Sequence, residues 1–229
     1  MVVTLGNNII DAYTGGVQVK AIYSRGVRVW PDLPLNPSSN EFYYTTKDGN
    51  PLTFSVSPVS SASGNMLSNT FDSVNGVYVV TFEYGITQIS GSAFENMTQL
   101  ESVVLPSGVN TINSYAFRNS GLTSIIMPGV VVLSQNAFEG CYYLRYITWP
   151  SNTGYEKMAL GCFRDCISLD TVVVLATTPP LMAQEEGTGS YTQFAGTPAT
   201  LKILVDGSLV NTYKSAAGWS SYSDKIGSL

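Results

Sequence analysis

The sequence predicts a mainly β fold with short helices, a capped solenoid of about four to five repeats preceded by a small N-terminal β-hairpin module. Three observations predict it. An Ala-Phe pair recurs through the middle of the chain, with Phe94, Phe117, Phe138 and Phe163 standing 23, 21 and 25 residues apart. A Leu-x-x-hydrophobic-x-hydrophobic run follows each pair, its Leu100, Leu122, Leu144 and Leu169 spaced by 22, 22 and 25 residues. On either side the chain keeps apolar runs and turn signals but loses the repeat, as the ends of a stack must.

Residues 1–35 read as a hairpin and a Pro-rich linker. Gly15-Gly16 separates an alternating apolar lead from Val17-Gln18-Val19-Lys20-Ala21-Ile22-Tyr23, and Ser24-Arg25-Gly26 turns the chain into Val27-Arg28-Val29-Trp30. Pro31, Pro34 and Pro37 follow, a spacing that favours extended, semi-rigid backbone.

Residues 36–92 read as an N-terminal cap with an irregular first repeat. Glu41-Phe42-Tyr43-Tyr44-Thr45 and Leu52-Thr53-Phe54-Ser55-Val56 flank Lys47-Asp48-Gly49-Asn50-Pro51, whose Asp-Gly predicts a second hairpin. The irregular repeat runs from Asn69-Thr70-Phe71 through Val77-Tyr78-Val79-Val80-Thr81-Phe82 to Ile86-Thr87-Gln88-Ile89.

Residues 93–180 hold the four clear repeats. Leu-x-x-Val-x-Leu is a short strand with three side chains turned inward, and Ala-Phe supplies one small and one large apolar group from the opposite wall. One unit cannot bury that face alone, so stacking is obligatory. Residues 181–229 form the C-terminal cap, with a last strand at Leu201-Lys202-Ile203-Leu204-Val205 and a short helix over 208–217.

The pattern Ala-Phe-x-x-Cys-x-x-Leu-x-x-hydrophobic-x-hydrophobic-Pro, continued by Val109-Asn110-Thr111-Ile112 and Val130-Val131-Val132-Leu133, resembles the BspA-like class of bacterial leucine-rich repeats over roughly 70–175. Thr178-Pro179-Pro180 and Tyr213-Lys214-Ser215-Ala216-Ala217-Gly218-Trp219 are similar to that family's usual ending. The resemblance implies an interaction protein, with a bacterial cell-surface adhesin as one setting. Separately, Ile22-Tyr23-Ser24-Arg25-Gly26-Val27-Arg28-Val29-Trp30-Pro31 resembles a segment near the starts of bacteriophage structural proteins. That implies a virion component whose Ile22, Tyr23, Val27, Val29 and Trp30 anchor it to the particle. The alternative reading of the same phrase is an ordinary hairpin with one aromatic plug.

Composition removes whole classes of function. The 229 residues are 44% hydrophobic, enough to bury a core, and only 12% charged, so solubility rests on Ser, Thr, Asn, Gly and Tyr. A net charge of −5 and scattered Lys and Arg leave no footprint for nucleic acid. Histidine is absent, which removes the commonest general base and the Ser-His and Cys-His nucleophile pairs. No nucleotide-binding, nucleophile-elbow or paired-carboxylate pattern appears, so the expectation is a non-enzymatic protein without cofactor.

Cys141 and Cys166 stand three residues after the repeat Phe, where Met97 and Ser120 stand in other copies, and Cys162 replaces the repeat Ala; all three read as packing rather than metal or disulfide. The start, Met1-Val2-Val3-Thr4-Leu5-Gly6, lacks a basic region and an apolar core, and no apolar run approaches the roughly 18 residues of a membrane span. The expectation is an uncleaved chain that neither carries an export signal nor inserts into a membrane, a departure from surface members of the family.

Two rows on the strands point away from the core by alternation: Ser102, Ser124, Tyr146 and Thr171, and beside them Val104, Ile126, Thr148 and Val173. The second is apolar, and either meets a partner or is covered. Aromatics cluster at the third repeat. The cluster is Tyr142, Tyr143, Tyr146, Trp149 and Tyr155; Trp149 falls in an inward slot, whereas Tyr142, Tyr143 and Tyr146 are open for recognition of protein or glycan. The candidate partner-binding set is therefore Val104, Ile126, Tyr142, Tyr143, Tyr146 and Thr148, with self-association also permitted by the apolar row. The stretch 183–194 reads as a solvated loop within the C-terminal cap, and its Glu185-Glu186 as a loop tip rather than a cation site.

Overall fold

The computed structural model describes residues 37–54, 57–150 and 156–229, together with the backbone of four short strands nearer the N-terminus. Those four pair antiparallel as β1 (Val2–Leu5) with β2 (Asn8–Asp11) and β3 (Tyr23–Ser24) with β4 (Val27–Arg28). The order of elements then follows the repeat, each coil placing one short strand, one Ala-Phe turn and one long strand around a common core.

The short strands β8 (Gln88–Ile89), β10 (Thr111–Ile112), β12 (Val132–Leu133), β14 (Lys157–Met158) and β16 (Leu181–Met182) form one parallel sheet. Ile89, Ile112, Leu133, Met158 and Met182 point inward from it and are buried. The long strands β9 (Leu100–Val104), β11 (Ser124–Ile126), β13 (Tyr146–Trp149), β15 (Thr171–Val174), β17 (Lys202–Val205) and β18 (Ile226–Ser228) run parallel on the opposite side. Their ladder hydrogen bonds join β9 to β11 and link β13, β15, β17 and β18, while β11 and β13 lie side by side in separate sheets.

Between short and long strands lies the Ala-Phe turn, which forms a third wall. Phe94, Phe117, Phe138, Phe163 and Phe194 stack ring on ring, with centroids 4.8, 5.1, 5.4 and 5.4 Å apart and planes within 9° of parallel. Each pair in such a stack adds roughly 0.5–1.5 kcal/mol beyond its buried area. The backbone repeats with it: the amides of Phe94, Phe117, Phe138 and Phe163 donate to the carbonyls of Ala116, Ala137, Cys162 and Gln193, at 2.7–2.9 Å. Successive coils are thus hydrogen-bonded on the short-strand and turn walls, and the long-strand ladder adds to this except between β11 and β13.

The turn demands left-handed backbone on both sides of the ring. Ser92, Tyr115, Asn136 and Gly161 precede their Phe by two residues, and Asn96, Asn119, Gly140, Asp165 and Gly196 follow by two, all with φ between 55° and 73°. Asn, Asp and Gly tolerate that region best, which accounts for their hold on the second position. At Gly140 a Cβ would also stand 2.2 Å from Asn119 Oδ1, so space and torsion both select glycine.

Both ends of the ring stack are closed by an edge. At the N-terminal end Phe42 and Phe54 meet Phe94 at 5.7 Å with planes at 80° and 86°; at the C-terminal end Tyr222 meets Phe194 at 5.2 Å and 86°. The N-terminal cap is antiparallel: β5 (Glu41–Thr46) pairs on one side with β7 (Val77–Phe82), which pairs with β6 (Met66–Asp72), and on the other side with β9. The cap therefore extends the long-strand sheet instead of plugging it.

This pairing corrects the expected hairpin between residues 41–45 and 52–56. The Asp48-Gly49 turn is present, but the segment after it forms no strand through residue 54, and β5 takes both its partners from later in the chain. Burial decides the matter. Leu52 and Phe54 pack on the core, and the Tyr44 hydroxyl holds the loop by accepting from Leu52 N at 2.9 Å and donating to Asn69 Oδ1 at 2.9 Å.

A second correction concerns the C-terminal cap. Residues 183–194 are not a loop to their end, since Phe194 is the fifth ring of the stack and Gln193 fills the Ala slot, fully buried, with its amide donating to the carbonyls of Met158 and Ala183. With β17 and β18 continuing the long strands, the solenoid has about six coils rather than four to five. The ending motif has a physical role as well: Tyr213 donates to Ala176 O at 2.8 Å and Trp219 to Pro180 O at 2.7 Å, clamping both flanks of Thr178-Pro179. Gly218, at φ 82°, brings the backbone against Tyr191 and Met182, where a Cβ would meet both at 2.7 Å.

Candidate functional site

The cysteines are packing residues. Cys141, Cys162 and Cys166 are free and buried, and Cys141 and Cys166 donate from sulfur to the carbonyls of Phe117 and Phe138, at 3.0 and 3.1 Å. Burial pushes the Cys141 thiol up to about 12 and raises Cys162 and Cys166 as well, so all three hold their protons at neutral pH. A thiol three residues past Phe138 and past Phe163 thus gives a second donor to a carbonyl of the coil before it, which already accepts from the amide of Ser120 or Cys141.

The long-strand face is where side chains vary and meet solvent. Two rows cross it at right angles to the strands. In the polar row Thr45, Ser102 and Ser124 are in register, and Tyr146, Thr171 and Lys202 continue it in the second sheet. Thr45 and Ser102 share a hydrogen bond at 2.6 Å, so Ser102, expected to face solvent, is instead buried and satisfied.

In the apolar row Thr70, Val79, Tyr43, Val104 and Ile126 are in register across five strands, and Thr148, Val173 and Leu204 continue it on β13, β15 and β17. The cap strands therefore lengthen the row that the repeats begin. Val104 is 1% exposed, which corrects its expected place on the open surface: Tyr43 and Ile126 pack against it from either side, with Val77 and Val79 completing a small outer cluster. Val173 is buried too, at 6%. Ile126, Thr148, Tyr43, Val79 and Leu204 remain half-exposed and form the accessible part of the row. Burial first and the Glu41 carboxylate second raise the Tyr43 phenol, whose hydroxyl lies 3.4 Å from Glu41 Oε2.

Tyr142 and Tyr143 sit elsewhere, on the rim where the turn wall meets the long strands, 46% and 57% exposed. Lys47 reaches from the end of β5 to stand 4.2 Å over the Tyr143 ring. Tyr146 belongs to the polar row, with the Arg145 guanidinium 5.8 Å from its ring centre. Trp149 is in the core as expected, its indole donating to Glu156 Oε2 at 2.6 Å. Structure thus unites Val104, Ile126 and Thr148 in one row, adds Tyr43 and Val79 to it, and separates Tyr142 and Tyr143 from it. The sequence signal for the added pair was the alternation of β5 and β7, legible only once their pairing with β9 was known.

Ile22, Val29, Trp30 and Tyr155 lie outside the described residues, and of Tyr23 and Val27 only the backbone pairing is described. Among the described residues no group of three or more His, Cys, Asp or Glu side chains is arranged to hold a metal, and no helix is long and apolar enough to cross a membrane. The loop carrying Glu185 and Glu186 is a turn closed by Glu185 N donating to Ser190 O at 2.8 Å.

A family model described as BspA type leucine-rich repeat region matches residues 65–180 in six copies. No curated protein matches the chain.

Proposed function

The chain belongs to the BspA-type leucine-rich repeat family, and on that premise we propose that it is an interaction protein of adhesin-like type which engages its partner through the long-strand face. The observation that carries the reading is the apolar row. It runs in register from the cap into the repeats, is flanked by a row of hydroxyls, and presents Tyr43, Val79, Ile126, Thr148 and Leu204 on a surface otherwise poor in charge. Apolar side chains aligned on a rigid sheet and rimmed by hydrogen-bonding groups match the anatomy of a protein interface, a dry centre with a polar border.

The test is binding of the labelled full chain to purified bacterial envelopes, compared with Ile126→Arg. A charge placed in the middle of the row reduces retention at least tenfold while leaving the unfolding midpoint in place. Equal retention by the variant contradicts the assignment of this face.

The finer reading places the chain on a bacteriophage particle, held by residues 1–35 through Ile22, Tyr23, Val27, Val29 and Trp30, with the solenoid directed to a host-surface protein or glycan. It is supported by the resemblance of the Ile22-to-Pro31 phrase; the alternative, a bacterial cell-surface adhesin, is supported by the repeat family. Fractionation with mass spectrometry distinguishes them, since the chain travels with purified particles in the first case and with the envelope in the second.

A further inference from the structure

A shallow cleft of about 250 Å³ opens on the rim, away from the apolar row, across three successive coils. Arg145 comes from the third, Ile167, Ser168 and Asp170 from the fourth, and Pro198 and Thr200 from the fifth. Arg145 and Asp170 occupy the same repeat position, seven residues past Phe138 and Phe163.

The chemistry of the lining is specific. Among the described residues no hydrogen bond or ion pair engages the Arg145 guanidinium, which stands 5.8 Å from the centre of the Tyr146 ring. Asp170 accepts at one oxygen from the Thr171 hydroxyl at 3.0 Å and has acceptor capacity to spare. Both backbones are fixed, since Arg145 O accepts from Asp170 N at 2.9 Å and Asp170 O from Lys202 N at 2.9 Å. A forked donor and a carboxylate acceptor are thus held on a rigid ladder, beside the hydroxyls of Ser168 and Thr200 and the apolar Ile167 and Pro198. In the coil before, Tyr142 and Tyr143 hold the repeat positions of Ile167 and Ser168, which extends the apolar rim by one step.

An anion meets Asp170 and a net charge of −5, and a cation meets Arg145, so neither charge is favoured. A neutral ligand with adjacent hydroxyls fits both side chains at once, because each hydroxyl can accept from the guanidinium and donate to the carboxylate. The volume lies below the roughly 300–1,000 Å³ of pockets for drug-sized molecules, which points to a single ring rather than a buried oligomer. We propose that this cleft is a subsite for one neutral pyranose unit of a glycan, recognised by Arg145 and Asp170 with its apolar face toward Ile167 and Pro198.

The proposal gives the interaction reading a ligand class, yet its test does not depend on that reading, because it uses purified components. Saturation-transfer NMR of the full chain is recorded with the methyl glycosides of glucose, galactose, mannose and N-acetylglucosamine, and with N-acetylneuraminate and glucosamine as anionic and cationic controls. The expected result is a response from at least one neutral glycoside, at roughly millimolar affinity, that falls at least tenfold in Arg145→Ala and Asp170→Ala and is unchanged in Ile126→Arg. Thr200→Trp, at an exposed position, fills the cleft and abolishes the response even if Asp170→Ala fails to fold. No response from any neutral glycoside, an equal response from the charged controls, or a response that survives both Arg145→Ala and Thr200→Trp overturns the assignment. Loss of envelope binding in Ile126→Arg with glycoside binding intact would show that the two sites are separate.

Discussion

Along the turn wall Phe94, Phe117, Phe138, Phe163 and Phe194 place the same ring in every coil, buried and stacked about 5 Å apart, whereas along the long-strand face Val104, Ile126, Thr148, Val173 and Leu204 occupy one row with changing side chains. The first wall has no freedom. Each ring has a ring on either side, each turn passes through left-handed backbone, and the Cys141 and Cys166 thiols past their rings face the coil before them. On the second wall the backbone ladder holds the strand whatever side chain it carries, so composition can follow a partner. Fold and recognition are thus assigned to different walls of one coil.

The comparison breaks most visibly if the turn wall is not the stronger one. Phe138→Ala removes the central ring and leaves a cavity between Phe117 and Phe163, which costs about 3–5 kcal/mol, a large share of the roughly 5–15 kcal/mol of an ordinary domain. Urea denaturation of the variant measures it, and a loss under about 1 kcal/mol would mean the stack is incidental. Gly140→Ala tests the turn itself: positive φ and the Asn119 side chain together cost about 1–3 kcal/mol. Adding Asn119→Ala recovers the part due to contact and leaves the part due to torsion, so the double-mutant cycle separates the two.

Cys141→Ala removes one of two donors at the Phe117 carbonyl, the Ser120 amide remaining, and costs about 0.5–1.5 kcal/mol. The same thiol, held protonated by burial, stays unreactive toward iodoacetamide at pH 8 until the chain is denatured. Ile126→Arg, on the other wall, changes stability by under about 1 kcal/mol because the side chain is half-exposed. The smallest effect is at the rim, where Arg118 Nε donates to Glu95 Oε1 at 2.7 Å. A hydrogen bond from Ser92, followed by Arg118, holds the Glu95 carboxyl below the ordinary carboxylate range. Its folded value being depressed, Glu95 contributes fully above the unfolded value and loses the contribution as pH falls through the folded one. Glu95→Gln should therefore flatten a small acid limb in the stability profile, and an unchanged limb would assign it to other carboxylates.

Much of the first wall was legible in the sequence, because burial forces the same residue to recur at the same interval. Phe194 was not, since the 31 residues after Phe163 exceed the period and Gln193 stands where Ala would mark the slot. The left-handed positions were half legible: Asn96, Asn119, Gly140, Asp165 and Gly196 share a chemistry, whereas Ser92, Tyr115, Asn136 and Gly161 do not. The second wall was legible as alternation but not as exposure. That Ser102 and Ile126 face outward follows from period two, but that Tyr43 closes over Val104 depends on β5 pairing with β9 across 61 residues of sequence. A local Asp-Gly signal pointed to a nearer partner for β5, and non-local burial of Phe42 and Tyr44 prevailed.

Hydrogen exchange of the free full chain tests the division of labour most directly. The account predicts that the amides of Phe94, Phe117, Phe138 and Phe163, bonded to the next coil, exchange last and together, as one cooperative unit. If those amides exchange ahead of the long-strand amides of β9, β13 and β15, the turn wall does not hold the solenoid together and the account is wrong.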